Sequence, residues 1–172
     1  MLHFRTIKTK KMAGFTLLEV LLVVAIIAIL AGIVIVAINP GKNLGDTRNT
    51  QRAADVNTII NALYQYELDN NGALPPVGGR TGAAVISSTL TEICNPGAAA
   101  CTGGLIDLAV LSTNGKYLVA IPADPTCPAG PGSPIPACNA NGSGYKVGLT
   151  SNGRLQVTAP QAENSKTISV TK

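Results

Sequence analysis

The chain has 172 residues, with 13 Lys and Arg, 9 Asp and Glu and a formal net charge of +4. Four basic residues and no acid precede Gly14, and nine basic and nine acidic residues follow it, so the excess positive charge lies in the N-terminal tail. The neutral remainder and the low aromatic content of the chain, 3%, argue against nucleic-acid binding. The only histidine is His3, which excludes catalysis and zinc ligation by histidine beyond the tail.

An uninterrupted apolar run follows the tail, from Phe15 to Ile38. A helix of this length would extend roughly 36 Å, which is enough to cross a hydrocarbon core of about 30 Å. A cleaved secretory signal would have a shorter apolar region followed by a small-residue cleavage site, whereas here the small residues Ala13 and Gly14 come first. Because the positive residues lie N-terminal to the run, we expect a cytoplasmic tail and an exported remainder.

One acid, Glu19, lies near the start of this run. A carboxylate at the centre of a bilayer costs about 2.5–3.5 kcal/mol, and less toward an end. Glu19 therefore either reaches the interface or finds a partner when helices pack together. A chain cut after Gly14 would carry a free α-amine on Phe15, and this cation could neutralise Glu19 of a neighbouring chain in an environment of low dielectric.

The stretch Gly14-Phe15-Thr16-Leu17-Leu18-Glu19, with its basic leader and apolar helix, resembles the type III signal of type IV pilins and type II secretion pseudopilins. The resemblance implies that a prepilin peptidase cleaves between Gly14 and Phe15, that Phe15 is N-methylated, and that Glu19 aids assembly by meeting the Phe15 amine of an adjacent subunit. The implied partners are further copies of the chain, the peptidase, an assembly ATPase, a platform membrane protein and, before assembly, membrane lipid.

A second helix is predicted over residues 46–70, since apolar residues recur there at spacings of three and four. Pro40 predicts a kink or break at 39–41. Asp46 or Thr47 could cap the start of the second helix, and Asn70-Asn71-Gly72 predicts its end. We expect its charged residues to form a solvated face: Arg48, Arg52, Asp55, Glu67 and Asp69.

The remainder predicts loops and a small antiparallel sheet. Residues 81–111 read as irregular with a short helix at 105–111, and residues 117–121 read as a strand ended by Pro122. A hairpin follows over 144–159. A three-residue loop, Ser151-Asn152-Gly153, would pair Leu149 with Leu155 and Val147 with Val157, whereas a two-residue turn would mix the faces. A last strand is expected near 166–171.

Four cysteines, Cys94, Cys101, Cys127 and Cys138, allow three pairings. Local pairing, Cys94–Cys101 and Cys127–Cys138, is the simplest, and each bond would stabilise the fold by about 2–3 kcal/mol. Spacings without CxxC argue against zinc or redox chemistry. Asp107 and Asp124 are two isolated acids, too few for a calcium site, so we expect neither metal nor cofactor.

These readings together predict an α+β pilin fold, in which the C-terminal half of a long helix packs on a small antiparallel sheet. The expected domains are a leader (1–14), a transmembrane or filament-core helix (15–38), the exported half of the helix (39–72) and a globular part (73–172). The predicted function is a non-enzymatic subunit of a type IV pilus or pseudopilus, which begins in the cytoplasmic membrane and ends in a cell-surface or periplasmic filament. Two alternatives are a monomeric membrane-anchored domain and a DNA-binding competence pilin.

Overall fold

The computed structural model describes residues 14–76, 86–95, 97–98, 100–101, 103–127 and 141–172. The chain forms two compact units, Met1–Pro40 and Gly41–Lys172. The sequence predictions for the leader and for Cys138 lie outside the described residues.

The first helix, α1, spans Leu17–Ile38. All of its residues are exposed, although nearly all are apolar. It is long and apolar enough to cross a membrane. The helix ends at Asn39. The φ of this residue is 47°, which lies in the left-handed region and cannot continue a right-handed helix.

The second helix, α2, spans Pro40–Asp69. The predicted break near 39–41 is therefore confirmed, but the predicted start at Asp46 or Thr47 is wrong. Proline is well suited to the first helical position, because its φ is already helical and the N–H it lacks would have no intrahelical partner there. The predicted end is confirmed: Asn71 and Gly72 have positive φ, and the Gly72 N–H donates to the Glu67 carbonyl at 2.8 Å.

Four antiparallel strands form one sheet in the order β1-β2-β3-β4. The strands are β1 Thr91–Cys94, β2 Gly142–Leu149, β3 Leu155–Thr158 and β4 Ser169–Thr171. The predicted hairpin register is confirmed, since Leu149 pairs with Leu155 and Val147 with Val157. The Thr150 N–H donates to the Arg154 carbonyl at 2.8 Å, which closes a three-residue loop with Gly153 at φ 73°.

The core lies between the C-terminal half of α2 and the sheet. Val56, Ile59, Ile60 and Leu63 of α2 are fully buried. They belong to one apolar cluster with inward-facing residues of the sheet: Tyr145, Val147, Leu155 and Val157. This arrangement confirms the α+β fold predicted from the sequence.

Three local predictions between the helix and the hairpin are wrong. Residues 117–121 form no strand. Leu118 and Ile121 are buried, and the Leu118 N–H donates to the Leu111 carbonyl at 3.0 Å. The short helix is a 3₁₀ helix at Ala109–Gly115 rather than at 105–111. Strand β1 lies in the stretch that is predicted to be irregular. The sequence does not predict this strand because its partner in the sheet, β2, is about fifty residues away.

Arg52 contradicts the predicted solvated face of α2. Its side chain is fully buried, with Nε 2.6 Å from Asp124 Oδ2 and Nη2 3.0 Å from Asp124 Oδ1. Its Nη1 donates to Glu163 Oε1 at 2.9 Å and to Asn49 Oδ1 at 3.1 Å. The guanidinium can be buried here because two carboxylates and an amide oxygen accept hydrogen bonds from its N–H groups. Burial opposes ionisation of Asp124, but hydrogen bonds from Arg52 and Thr126 prevail and lower its pKa.

The other charges of α2 are arranged around this cluster. Arg48 forms a bidentate pair with Glu163, and Asp46 pairs with Lys166 at 2.9 Å. Asp55 accepts from the Tyr145 hydroxyl at 2.6 Å, and partial burial raises the pKa of Asp55. Most charges of α2 thus serve to attach it to the rest of the unit.

Cys94 and Cys101 form a disulfide with a Cα–Cα distance of 5.6 Å. Both side chains are buried beside Leu105. Cys127 is also disulfide-bonded, while the predicted Cys127–Cys138 pairing involves a residue outside the described part of the chain.

Candidate functional site at the N-terminal helix

The predicted processing and assembly residues lie together at the start of α1. Gly14, Phe15 and Thr16 precede the helix, and Glu19 lies in its first turn. Phe15 is 84% exposed, and no atom of the described residues crowds the position where a side chain at Gly14 would begin. The stretch is therefore sterically accessible to another protein.

Thr16 caps α1, and the sequence analysis did not identify this role. Its Oγ1 accepts from the Glu19 N–H at 3.2 Å, so Glu19 is the third residue of the helix. The signal is present in the sequence, since Thr at the cap and Glu three residues later form a capping-box pattern. A carboxylate in the first turn also interacts favourably with the helix dipole, so Glu19 stabilises the end of the helix at which it lies.

Phe15 and Glu19 lie one turn apart, with Val20, Val23 and Val24 continuing along α1. These five residues line a shallow cavity of about 310 Å³. Within the described residues, the Glu19 carboxylate has no hydrogen-bond or ionic partner. A ligand that carries a cation on an apolar group would suit this arrangement. Its cation would neutralise the acid, and its apolar group would pack in the apolar cavity.

The isolated acids considered for calcium have other roles. Both Asp124 oxygens accept hydrogen bonds from Arg52, and Asp107 Oδ1 accepts from the Ala109 N–H at 2.9 Å. Among the described residues, no group of three or more His, Cys, Asp or Glu side chains could hold a metal ion.

An exposed apolar N-terminal helix and a second helix packed on a small antiparallel sheet are consistent with the α+β pilin fold that the sequence predicts. The protein-family model for the prokaryotic N-terminal methylation motif matches residues 9–35 of this sequence. Curated relatives include the type II secretion system core protein G of Aeromonas hydrophila, 39% identical over 62 residues, and those of Escherichia coli strain K12, 38% over 63 residues, and Vibrio cholerae, 41% over 64 residues. These findings confirm the predicted resemblance to the type IV pilin and pseudopilin family.

The similarity is confined to part of each protein. It covers 36–37% of this chain and 42% of each relative, so the chain matches less than half the length of these relatives. No solved structure matches the chain significantly. The methylation motif and the apolar helix support a membrane-anchored precursor of a structural subunit.

Proposed function

We propose that this chain is the precursor of a filament subunit, of either a type II secretion pseudopilus or a type IV pilus. The observation that carries the proposal is α1 itself, an apolar helix of membrane length that is exposed along its whole length. The acid in its first turn, Glu19, has no partner in the described part of the chain. Such a helix needs lipid or other apolar helices around it. The similarity to core protein G favours the pseudopilus.

Processing supplies the cation that the site lacks. A prepilin peptidase cleaves the peptide bond between Gly14 and Phe15 on the cytoplasmic side and methylates the new amine of Phe15. Residues 1–14 are the leader, residues 15–38 the transmembrane and filament-core segment, and residues 39–172 the exported part. In the filament, the Phe15 amine of one subunit meets Glu19 of its neighbour, which neutralises both groups in an apolar environment and fixes the axial register.

The test is to coexpress the full chain with a prepilin peptidase and the assembly ATPase and platform protein of a secretion system. Mass spectrometry is expected to find a mature chain that begins with methylated Phe15, and electron microscopy to find filaments. Glu19→Ala is expected to be processed but to assemble poorly. The matched control is Glu67→Ala, which removes an acid from α2 and should assemble normally.

Two results would contradict the proposal. One is assembly of chains that retain residues 1–14. The other is a correctly processed wild-type chain that stays monomeric in the membrane, which would favour the alternative of a membrane-anchored domain.

A further inference from the structure

The first three turns of α2 bury no apolar side chain. In residues 40–51 only Gly45 and Asn49 are buried, whereas the apolar core includes α2 from Val56 onward. The stretch also contains two glycines, two asparagines and two threonines, which are poor helix formers. A helix of about twelve residues is marginal in water even when its composition is better. Contacts beyond the helix must therefore help to keep this part of α2 folded.

The loop between β3 and β4 supplies such contacts. We call residues 163–166 of this loop the clasp. The carboxylate of Glu163, its first residue, accepts hydrogen bonds from Arg48. Asn49 Nδ2 donates to the Glu163 carbonyl at 2.8 Å, and the Glu163 N–H donates to Asn49 Oδ1 at 2.9 Å. One residue of the clasp thus binds two successive residues of α2.

The next residues of the clasp contact α2 closer to its start. Asn164 Nδ2 donates to the Lys42 carbonyl at 3.0 Å and to Asp46 Oδ1 at 3.1 Å. The Lys166 ammonium pairs with the same Asp46 oxygen at 2.9 Å. The clasp therefore binds α2 along about two turns, from Lys42 to the residues that Glu163 contacts.

The backbone of the clasp depends on these contacts in turn. Asn164 and Ser165 have φ of 56° and 57°, and two successive left-handed residues other than glycine are uncommon. Such a conformation persists only where the surrounding structure holds it. The clasp and the start of α2 therefore stabilise each other, and losing the contacts between them should release both.

Arg52 sets the limit of this mutual dependence. Its side chain pairs with buried Asp124 as well as with Glu163, so Arg52 keeps a partner when the clasp is released. The apolar packing of α2 follows from Val56 onward. The ion pairs of the clasp with Arg48 and Asp46 are partly exposed, and solvent and salt weaken such pairs. The clasp contacts should therefore fail before the core does.

We propose that the clasp is a charge-dependent switch: when the carboxylates of Glu163 and Asp46 are neutralised, residues 40–51 unfold while α2 from Arg52 onward stays folded. A segment with few buried apolar contacts opens at a lower cost than the core. Unfolded, residues 40–51 could extend about 40 Å, instead of roughly 18 Å as a helix. The switch thus sets the reach of the chain that joins α1 to the core.

Acid should open the clasp at Glu163. Hydrogen bonds from Arg48 and Arg52 lower the pKa of Glu163 from 4.5 to about 2. A carboxylate whose pKa is lowered by folding contributes its full stability above the unfolded pKa. This contribution is therefore complete above about pH 4.5 and is lost as the pH falls toward 2.

Asp46 responds to acid in the same direction. Hydrogen bonds from Lys166 and Asn164 lower the pKa of Asp46, and the nearby charge of Lys42 adds to this effect. Protonation of Asp46 removes its ionic attraction to Lys166. Acid therefore weakens both carboxylate contacts between the clasp and α2.

Hydrogen–deuterium exchange of the full chain in detergent, with its disulfides oxidised, tests the proposal. After correction for the intrinsic pH dependence of exchange, the opening constant of residues 45–51 should rise at least about tenfold between pH 7 and pH 3. Residues 56–69 should keep their protection, because the apolar core holds them.

Glu163→Gln removes the charge of the clasp and keeps its shape. At pH 7 this variant should exchange residues 45–51 at least about tenfold faster than the wild type, and its exchange should vary less with pH. The matched control is Glu67→Gln, which removes an acid from α2 outside the clasp and should exchange like the wild type.

Two results would overturn the inference. One is equal acceleration of residues 45–51 and 56–69, which would show that α2 unfolds as one unit. The other is unchanged protection of residues 45–51 in acid or in Glu163→Gln. Neither measurement requires a filament, so the outcome is separate from that of the proposed function.

Discussion

The Arg52→Met substitution tests whether the buried arginine cluster holds the exported unit together. Arg52 and Asp124 both have fully buried side chains, joined through two hydrogen bonds of 2.6 and 3.0 Å. Methionine keeps the apolar stem of the side chain but removes the guanidinium. Among the described residues, Thr126 alone then donates to the buried Asp124 carboxylate, through its hydroxyl at 2.6 Å and its N–H at 2.8 Å.

Removing one partner of a buried ion pair typically costs about 3–5 kcal/mol. For a unit of this size, such a loss lowers the melting temperature by roughly 3 °C per kcal/mol, and so by about 10–15 °C in total. Arg48→Met is the matched control, because Arg48 lies one turn earlier, its side chain is 35% exposed and it pairs with Glu163. Its effect should be much smaller, since solvent screens an exposed pair.

The measurement is thermal unfolding of the detergent-solubilised chain, followed by the near-UV circular dichroism of its tyrosines with the disulfides oxidised. Tyr145 is buried in the core and should report the loss of packing. A double variant, Arg52→Met with Asp124→Leu, should recover much of the stability, because an apolar pair avoids the unpaired charge. Equal losses for Arg52→Met and Arg48→Met would refute the reasoning.

Two further predictions concern the same unit. Hydrogen bonds from two arginines lower the pKa of Glu163 from 4.5 to about 2, so the stability it contributes is complete above about pH 4.5 and is lost as the pH falls toward 2. The unfolding midpoint of Glu163→Gln should thus depend less on pH between 5 and 3 than that of the wild type; parallel curves would contradict this. Gly142→Ala would place a Cβ in overlap with Oε1 of buried Glu92, which accepts from the Gly144 N–H at 3.0 Å and would lose that bond by moving away, so urea unfolding should show a loss of about 1–3 kcal/mol. Gly97→Ala, where the nearest atom is at 3.5 Å, is its control, and equal losses would argue against crowding.

The features that the sequence predicted depend on contacts close together in the chain. The β2–β3 register follows from matching apolar residues across a short loop, and Leu149 pairs with Leu155 as predicted. The helix break follows from the backbone restrictions of Pro40 and its neighbour. The motif around Glu19 could be identified because its residues are consecutive.

The errors arise where the deciding partner is distant in the chain. The charge of Arg52 predicts a position in solvent, yet Arg52 lies four and seven residues before Val56 and Ile59, on the same buried stripe. This spacing was a usable signal, but Asp124, the partner that permits burial, is 72 residues away. Strand β1 was missed for the same reason, and the apolar residues at 117–121 fit a strand as well as the loop that they form.

The two helices obtain their stability from different sources, which bears on how a subunit could change environment. No residue of α1 is buried, so its apolar surface depends on whatever surrounds it. By contrast, α2 is held by the ionic cluster around Arg52 in its N-terminal half and by the apolar core from Val56 onward. Because the core of Gly41–Lys172 is built from that unit's own residues, the proposed transfer of α1 from lipid to a filament requires no repacking of that core. Any cost of the transfer therefore falls on α1, on its junction at Asn39 and on the surfaces that meet neighbouring copies.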